Sequence, residues 1–162
     1  MVTWERPLGA LCPGLETEAA LAACCRSRTG LLADDGERWA VLILPGGGYE
    51  RIAAAGVQAF VLNYSVLPAR WPQLFLEGAA ALAWLRGHAA QFGFRPDRVA
   101  VCGFSAGGHL AACLSCLWRE PVLKEALSLA PEQVRPDAAI LCYPVINEGK
   151  YLDPLGPDVP RP

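Results

Sequence analysis

The fold is decided by the stretch Arg98-Val99-Ala100-Val101-Cys102-Gly103-Phe104-Ser105-Ala106-Gly107-Gly108. Its first part, residues 98–103, is an apolar run that predicts a buried strand, and residues 105–118 form a run rich in small side chains that predicts a helix. A serine at the turn between them is held in a strained conformation that exposes its hydroxyl, and Gly103 and Gly107 leave room for the adjoining strand and helix. We therefore predict a nucleophile elbow with Ser105 at its tip.

A second motif lies upstream, where the strand-like run 39–44 leads into Pro45-Gly46-Gly47-Gly48-Tyr49. Consecutive glycines leave backbone N–H groups able to converge on one point. Acyl transfer builds negative charge on the carbonyl oxygen, and each preorganised N–H donor stabilises that charge by about 3 kcal/mol. A plain glycine-rich turn can have the same sequence. The run indicates a binding site for the oxyanion only because of its order and spacing relative to the elbow.

Composition limits the class of protein. The chain has 162 residues, 53% of them hydrophobic and 19% charged, which fits one domain with a buried core. Its formal net charge is −2 and its 14 Lys and Arg residues form no runs, so we expect neither a nucleic-acid nor a membrane partner. The N-terminus lacks a signal-peptide pattern and no apolar run approaches the ~20 residues that span a bilayer, which predicts a cytoplasmic protein.

The seven cysteines are odd in number and spread along the chain, which suits a reducing compartment better than a disulfide framework. Cys113 and Cys116 form a C-x-x-C pair, but no second pair or histidine completes a zinc site. Free cysteine is among the most buried residue types, so we interpret this pair as small core side chains and expect no metal and no cofactor. The same interpretation applies to Cys24, Cys25, Cys102 and Cys142.

The pattern along the chain predicts three parts. Residues 1–38 are a poorly defined N-terminal segment in which 15–25 is weakly helical, residues 39–146 form the core, and residues 147–162 are a proline-rich tail that we expect to be extended or disordered. In the core, four nearly continuous apolar runs predict a parallel sheet covered on both faces: 39–44, 57–64, 98–103 and 138–143. Helices are predicted at 72–93, 105–118 and 121–129, and a turn at 131–137.

These motifs resemble the α/β-hydrolase superfamily, and most of all its acetyl-esterase and xylan-esterase-like branch, which is related to hormone-sensitive-lipase-type esterases. The resemblance rests on Leu-Pro-Gly-Gly-Gly-Tyr at 44–49, Val-Leu-Asn-Tyr-Ser-Val at 61–66, the elbow region 96–111 and Ile-Leu-Cys-Tyr-Pro-Val-Ile at 140–146. It implies that Ser105 is the nucleophile and that the amides of Gly47, Gly48 and Ala106 form the oxyanion hole. It also implies small acyl esters as substrates, acetylated carbohydrates among them.

The sequence departs from this family in its proton-transfer residues. In α/β-hydrolases a carboxylate and then a histidine follow the serine, whereas this chain contains only His88 and His109. We interpret His109 as a helix-packing residue and His88 as part of the exposed side of the helix at 72–93. Asp137 is assigned to a turn, and Asp153 and Asp158 to the solvated tail. The resemblance therefore predicts an esterase of weak or no activity in this chain.

A further departure is the short connection 45–56 between the first two predicted strands, since a parallel crossover usually takes a dozen or more residues including its helix. The resemblance thus implies an α/β-hydrolase-like fold with an internal shortening and without its C-terminal part. Loss of that part would expose a sheet edge and favour self-association. The alternative function is therefore a non-catalytic binding or association domain.

Overall fold

The computed structural model describes residues 2–25, 38–45 and 57–146. Within them the strands are β1 (Val2–Pro7), β2 (Ala20–Cys25), β3 (Ala40–Leu44), β4 (Gln58–Asn63), β5 (Val99–Phe104) and β6 (Ala138–Cys142). The helices are α1 (Leu8–Leu11), α2 (Gln73–Gly87), α3 (Ala89–Phe92), α4 (Ala106–Cys116), α5 (Pro121–Leu127) and α6 (Pro131–Val134).

The strands form one sheet in the order β1-β2-β4-β3-β5-β6. β1, β2 and β4 pair antiparallel, whereas β4, β3, β5 and β6 run parallel. In the centre Leu42 lies between Phe60 and Val101. The C-terminal ends of the four parallel strands therefore meet at one side of the sheet, which we call the carboxyl edge and where open α/β sheets bind their ligands.

The central strands are buried on both faces, as their continuous apolar sequences predict. All five residues of β3 are buried, and so are the first five of β4 and of β5. One face, with Leu42, Phe60 and Val101, packs in a large core with α2 and α4, whereas the other face buries Ile43 and Val61 in a smaller cluster. This confirms the predicted, mostly parallel sheet with flanking helices. The predicted burial on both faces is wrong for β6, because four of its five residues are exposed.

The N-terminal part of the chain corrects one prediction. Residues 20–25 are not helical: they form β2, which lies between β1 and β4. Burial alternates along β2, with Leu21, Ala23 and Cys25 inside, as in a strand with one covered face. Four of the eleven residues in 15–25 are alanine, which has the highest helix propensity, and in this segment pairing with neighbouring strands overrides that propensity. The domain limits 39–146 stay a prediction.

The predicted helix at 72–93 is present but is divided at His88 into α2 and α3. Its predicted inner face is confirmed, because Gly78, Leu82, Leu85 and Phe92 are buried. The segment 131–137, predicted as a turn, begins with the short helix α6. None of the helices among the described residues is long and apolar enough to cross a membrane.

Candidate active site

Ser105 occupies the sharp turn between β5 and α4. Its backbone has φ 54° and ψ −117°, a left-handed conformation that costs a non-glycine residue about 1–3 kcal/mol. The residue is exposed at the carboxyl edge although the first five residues of the strand before it are buried. The predicted strand-turn-helix geometry is therefore present, and the turn lifts the serine out of the sheet.

The end of β6 and the segment after it support this turn. The Ser105 N–H donates a hydrogen bond of 3.0 Å to the Cys142 carbonyl, and the Ser105 carbonyl accepts from Val145 N at 3.3 Å and from His109 N at 3.1 Å. Because the strained serine is bonded on both sides, its conformation is fixed by β6 and α4 together.

Three glycines allow the close approach of β5, α4 and β3. A Cβ at Gly103 would overlap the carbonyl of Gly107, and a Cβ at Gly107 would overlap the carbonyl of Leu44. A Cβ at Gly108 would lie 2.9 Å from Pro144. The sequence argument assigned the close approach of strand and helix to Gly103 and Gly107 and counted Gly108 among the small residues that let the helix pack tightly, but it did not identify Pro144 as the partner of Gly108, 36 residues away.

The N-terminus of α4 presents backbone donors beside Ser105. Ala106 is the first residue of this eleven-residue helix and is exposed. The first N–H groups of a helix have no acceptor within it, and the helix dipole adds partial positive charge there. Gly47 and Gly48 lie outside the described residues. The strand that leads to them is β3, and its last residue, Leu44, is paired with Gly103.

The hydrogen-bond contacts of the His109 and His88 rings are with Cys113 and Trp84, not with the Ser105 hydroxyl. His109 is buried with 7% of its surface exposed, and its Nε2 lies 3.5 Å from Cys113 Sγ, one turn further along α4. Among the described residues its Nδ1 has no hydrogen-bond partner. His88 is half-buried rather than exposed as predicted, because its ring stacks on Trp84 with 4.2 Å between centroids and its Nδ1 lies 2.8 Å from the Trp84 carbonyl.

Asp137 lies at the amino-terminal ends of the parallel strands, on the side of the sheet opposite to the carboxyl edge and to Ser105. Its Oδ2 accepts hydrogen bonds of 2.8 Å from Arg86 and of 2.8 Å from Val99 N, at the start of β5. The carboxylate thus joins the C-terminal end of α2 to the beginnings of β5 and β6. Asp153 and Asp158 lie outside the described residues.

The cysteines are free thiols. Burial raises the pKa of Cys12, Cys102 and Cys113 to about 11, and burial together with the neighbouring Cys24 raises that of Cys25 to about 12. The core interpretation is confirmed for Cys25, Cys102 and Cys113 but is wrong for Cys116, which is exposed at the end of α4. In the described parts of the chain no three metal-ligating side chains come together.

Sequence reasoning missed one polar residue near the carboxyl edge. Glu77 on α2 is completely buried, and its carboxyl accepts hydrogen bonds from the hydroxyls of Thr17 and Ser65, from Ser65 N and from Gln73 Nε2. A single charged residue within the apolar run 74–82 was the available signal, since a carboxyl buried in a core must be bonded.

β6 is an edge strand on its outer side. Within the described residues its only strand partner is β5. Four apolar side chains on or just after β6 are exposed, by 39–73% of their surface: Ile140, Leu141, Tyr143 and Ile146. No charged residue occurs in β6 itself.

Comparison with known proteins agrees with this geometry. A family profile described as an α/β hydrolase fold matches residues 49–155. The chain is 28% identical over 121 residues to an acetylxylan esterase of Xylanibacter ruminicola, covering 67% of this chain and 23% of that protein. It is 39% identical over 72 residues to esterase LipC of Mycobacterium tuberculosis, covering 44% of this chain and 18% of that protein.

Among solved structures, the chain is similar to MGS-M1, an α/β hydrolase enzyme from a Medee basin deep-sea metagenome library. The TM-score is 0.73 and the identity 31%, over 100% of this chain and 63% of that one. The chain therefore spans about a fifth of the length of the two curated relatives and less than two thirds of the solved hydrolase.

Proposed function

Because this chain belongs to the α/β-hydrolase fold family, we propose that it is a carboxylic-ester hydrolase in which Ser105 is the nucleophile. The observation that carries the proposal is the exposed, left-handed Ser105 at the junction of β5 and α4. The proposed oxyanion hole consists of the amides of Ala106, Gly47 and Gly48. The proposal requires no metal and no cofactor, and the free thiols support a reducing, cytoplasmic location.

The proposed reaction is a two-step acyl transfer. The Ser105 hydroxyl oxygen forms a bond to the ester carbonyl carbon, the carbon–oxygen bond to the alcohol breaks, and the proton of the serine passes to the leaving alkoxide. Water then attacks the acyl-serine and releases the acid. Each step passes through an oxyanion that the helix N-terminus and the amides would stabilise.

Efficient proton transfer in this mechanism requires a histidine beside the nucleophile. The hydrogen bonds of His88 and His109 lie elsewhere, to Trp84 and Cys113. We therefore expect the chain by itself to turn over esters weakly, with a deficit on the order of 10⁶ relative to a complete triad. An efficient reaction would need a proton acceptor from another source.

Small acyl esters are the proposed substrates, acetylated carbohydrates among them. The similarity to an acetylxylan esterase supports this choice. The acyl group and the alcohol would both have to reach an exposed serine at the carboxyl edge.

The proposal is tested with an aryl acetate and added imidazole, a small base that can occupy the place of a missing histidine. Hydrolysis by the wild-type chain should exceed that by Ser105→Ala, and the difference should grow with the imidazole concentration. Mass spectrometry should detect the acetyl group on Ser105 after rapid quenching. Equal rates for the two proteins at every imidazole concentration would refute the proposal.

A second candidate function is association through β6, because its outer edge carries exposed apolar side chains and no charge. Such an edge can pair with another strand. Light scattering should show the wild-type chain as a dimer or larger species and Ile140→Lys as a monomer. Leu67→Lys, which places a lysine at an exposed apolar position away from β6, serves as the control. A monomeric wild-type chain would contradict this candidate.

A further inference from the structure

Tyr143, the first residue after β6, has a strained backbone. Its φ is 40°, in the left-handed region that a bulky residue rarely adopts. The next residue is Pro144, and a residue before proline prefers an extended conformation with a negative φ. Glycine takes a positive φ without this cost in free energy. The chain therefore carries a large aromatic residue at a position whose backbone suits glycine best.

The support of the turn at Ser105 accounts for this conformation. The Cys142 carbonyl accepts a hydrogen bond from Ser105 N, and Val145 N donates one to the Ser105 carbonyl. Pro144 packs against the first turn of α4. Because these contacts fix the backbone before and after Tyr143, the residue between them has to take the positive φ.

The Tyr143 side chain contributes little to the packing of the fold. It is 73% exposed, and among the described residues its ring contact is with Phe104, at 6.0 Å between ring centroids and an interplanar angle of 59°. The stabilisation from burying apolar surface is proportional to the area removed from water, so this side chain gains little of it. Strained residues cluster at active sites and ligand-binding positions, where their side chains serve function.

Phe104 and Tyr143 present aromatic surface beside the nucleophile. Phe104 directly precedes Ser105 and is half-buried against the smaller cluster of the sheet. The segment 140–146 contains no charged side chain. A sugar would need hydrogen-bonding groups in place of the water that its hydroxyls give up, whereas an aromatic ring gains from offset or edge-to-face contact with other rings. The surface therefore suits a planar aromatic group better than a polyol.

We propose that Phe104 and Tyr143 bind an aromatic ring of the ester, and that Tyr143 is the residue that determines this specificity. The acyl group in the proposed function is small, so the ring belongs to the alcohol part, as in benzyl acetate. The carbonyl oxygen would face the N-terminus of α4, which packs on one face of the sheet, while the ring lies against Phe104 on the other face. This inference rests on the proposed esterase function, because it places the ester carbonyl at Ser105.

The test is an NMR titration of the isotope-labelled Ser105→Ala chain, which cannot form an acyl-serine, with benzyl acetate. Saturable shifts should map to the amides of residues 104, 143 and 145. Cyclohexylmethyl acetate, which has a saturated ring of similar size, should bind about threefold more weakly because it lacks the ring-to-ring contact. Ethyl benzoate, which carries its ring on the acyl side, should also bind more weakly than benzyl acetate.

Substitutions at Tyr143 in the same Ser105→Ala chain separate ligand binding from stability. Tyr143→Gly should raise the Kd for benzyl acetate on the order of tenfold and also raise the urea midpoint of unfolding, because it removes the ring and the strain together. Tyr143→Phe keeps the ring and should bind as the parent chain does. Ser128→Gly is the matched control, since Ser128 is exposed at the end of α5 with φ 54°. It should raise the urea midpoint without changing the Kd.

An unchanged Kd in Tyr143→Gly, or shifts that map away from residues 104 and 143, would overturn the inference. Equal or tighter binding of cyclohexylmethyl acetate or of ethyl benzoate would overturn the assignment to an aromatic alcohol. A lower urea midpoint for Tyr143→Gly would show that the tyrosine serves the fold and would remove the argument from strain.

These binding measurements require no turnover. Failure of the esterase proposal appears instead as equal hydrolysis by the wild type and Ser105→Ala. The two failures are therefore distinguishable.

Discussion

Gly107 of α4 lies directly against the backbone carbonyl of Leu44, the last residue of β3. The contact brings the N-terminal turn of the helix onto the end of the neighbouring strand, which places Ser105 beside the chain that continues toward Gly47 and Gly48. No side chain larger than hydrogen fits at this position.

Gly107→Ala is therefore expected to be strongly destabilising, because its Cβ would overlap backbone that cannot move without shifting the sheet. We expect a loss of about 3 kcal/mol in the free energy of unfolding, measured by urea denaturation. Gly87→Ala is the matched control, since a Cβ there has no heavy atom within 4 Å. It should be neutral or stabilise by up to about 1 kcal/mol. Equal effects of the two substitutions would contradict the close contact.

The ion pair of Arg86 with Asp137 should contribute to stability. Their side chains are 14% and 17% exposed, and Arg86 also donates to the carbonyls of Pro96 and Arg135. Arg86→Met leaves Asp137 with a single hydrogen bond in a largely dry site, so we expect a loss of about 3 kcal/mol in unfolding free energy.

The control for this prediction is Arg95→Met. Arg95 pairs with Asp97 at 2.6 Å, but the two side chains are 39% and 60% exposed. Water screens such a pair, so its loss should destabilise the fold far less than the loss of the Arg86 pair does. A larger loss of unfolding free energy for Arg95→Met than for Arg86→Met would show that burial does not determine how strongly these ion pairs stabilise the fold.

Glu77→Gln should destabilise the fold although it is nearly isosteric. The carboxyl oxygens of Glu77 accept four hydrogen bonds. In the variant an NH2 group replaces one of these oxygens, so it would face a donor from which it cannot accept. We expect a loss of about 2 kcal/mol in the unfolding free energy. Glu125→Gln, on the exposed side of α5, should change it by less than about 0.5 kcal/mol. An unchanged melting temperature for Glu77→Gln would contradict the network.

Stability should fall at alkaline pH because of the buried thiols. Their pKa is raised in the folded protein, to about 12 for Cys25 and about 11 for Cys113. Below pH 8 these thiols are protonated in both the folded and the unfolded protein, so their contribution to stability is fully present and does not change with pH. As the pH rises through 9 the unfolded chain loses protons that the folded chain retains, and each thiol lowers stability by up to about 1.4 kcal/mol per pH unit.

Urea denaturation between pH 7 and pH 11 measures this slope. Cys25→Ala should be less stable at pH 7, because it leaves a small cavity, yet its stability should fall less steeply above pH 9. A variant slope equal to that of the wild type would contradict the assignment of the pH dependence to Cys25.

Thiol reactivity should separate the two cysteines of the C-x-x-C pair. Cys116 is exposed, whereas Cys113 is buried and, with a pKa of about 11, is only about 0.1% thiolate at pH 8. Iodoacetamide at pH 8, followed by peptide mass mapping, should modify Cys116 while Cys113 remains unmodified until the chain is unfolded in urea. Modification of both at the same rate would contradict the burial of Cys113.

The local sequence was sufficient to predict the four parallel strands and the sharp turn at Ser105. Apolar runs such as 39–44 and 98–103 leave little choice but a buried strand, and a serine flanked by glycines between a strand and a helix predicts the turn that Ser105 occupies. The segment 20–25 was predicted wrongly because its alanines favour a helix, and only pairing with β1 and β4 makes it a strand.

The sequence by itself thus determined the motif around Ser105 and the four parallel strands that surround it. These features depend on residues close together in the chain. The tertiary structure alone decided that Thr17, Ser65 and Gln73 all donate to Glu77. It also decided that Asp137 lies at the amino-terminal ends of the parallel strands, opposite to Ser105. Cys142 and Val145 hold the serine in place. Apart from the bond between Gln73 and Glu77, these contacts join residues 12 to 60 positions apart. Their partners are set by the packing of α2, α4 and β6 on one sheet, which the local sequence does not specify.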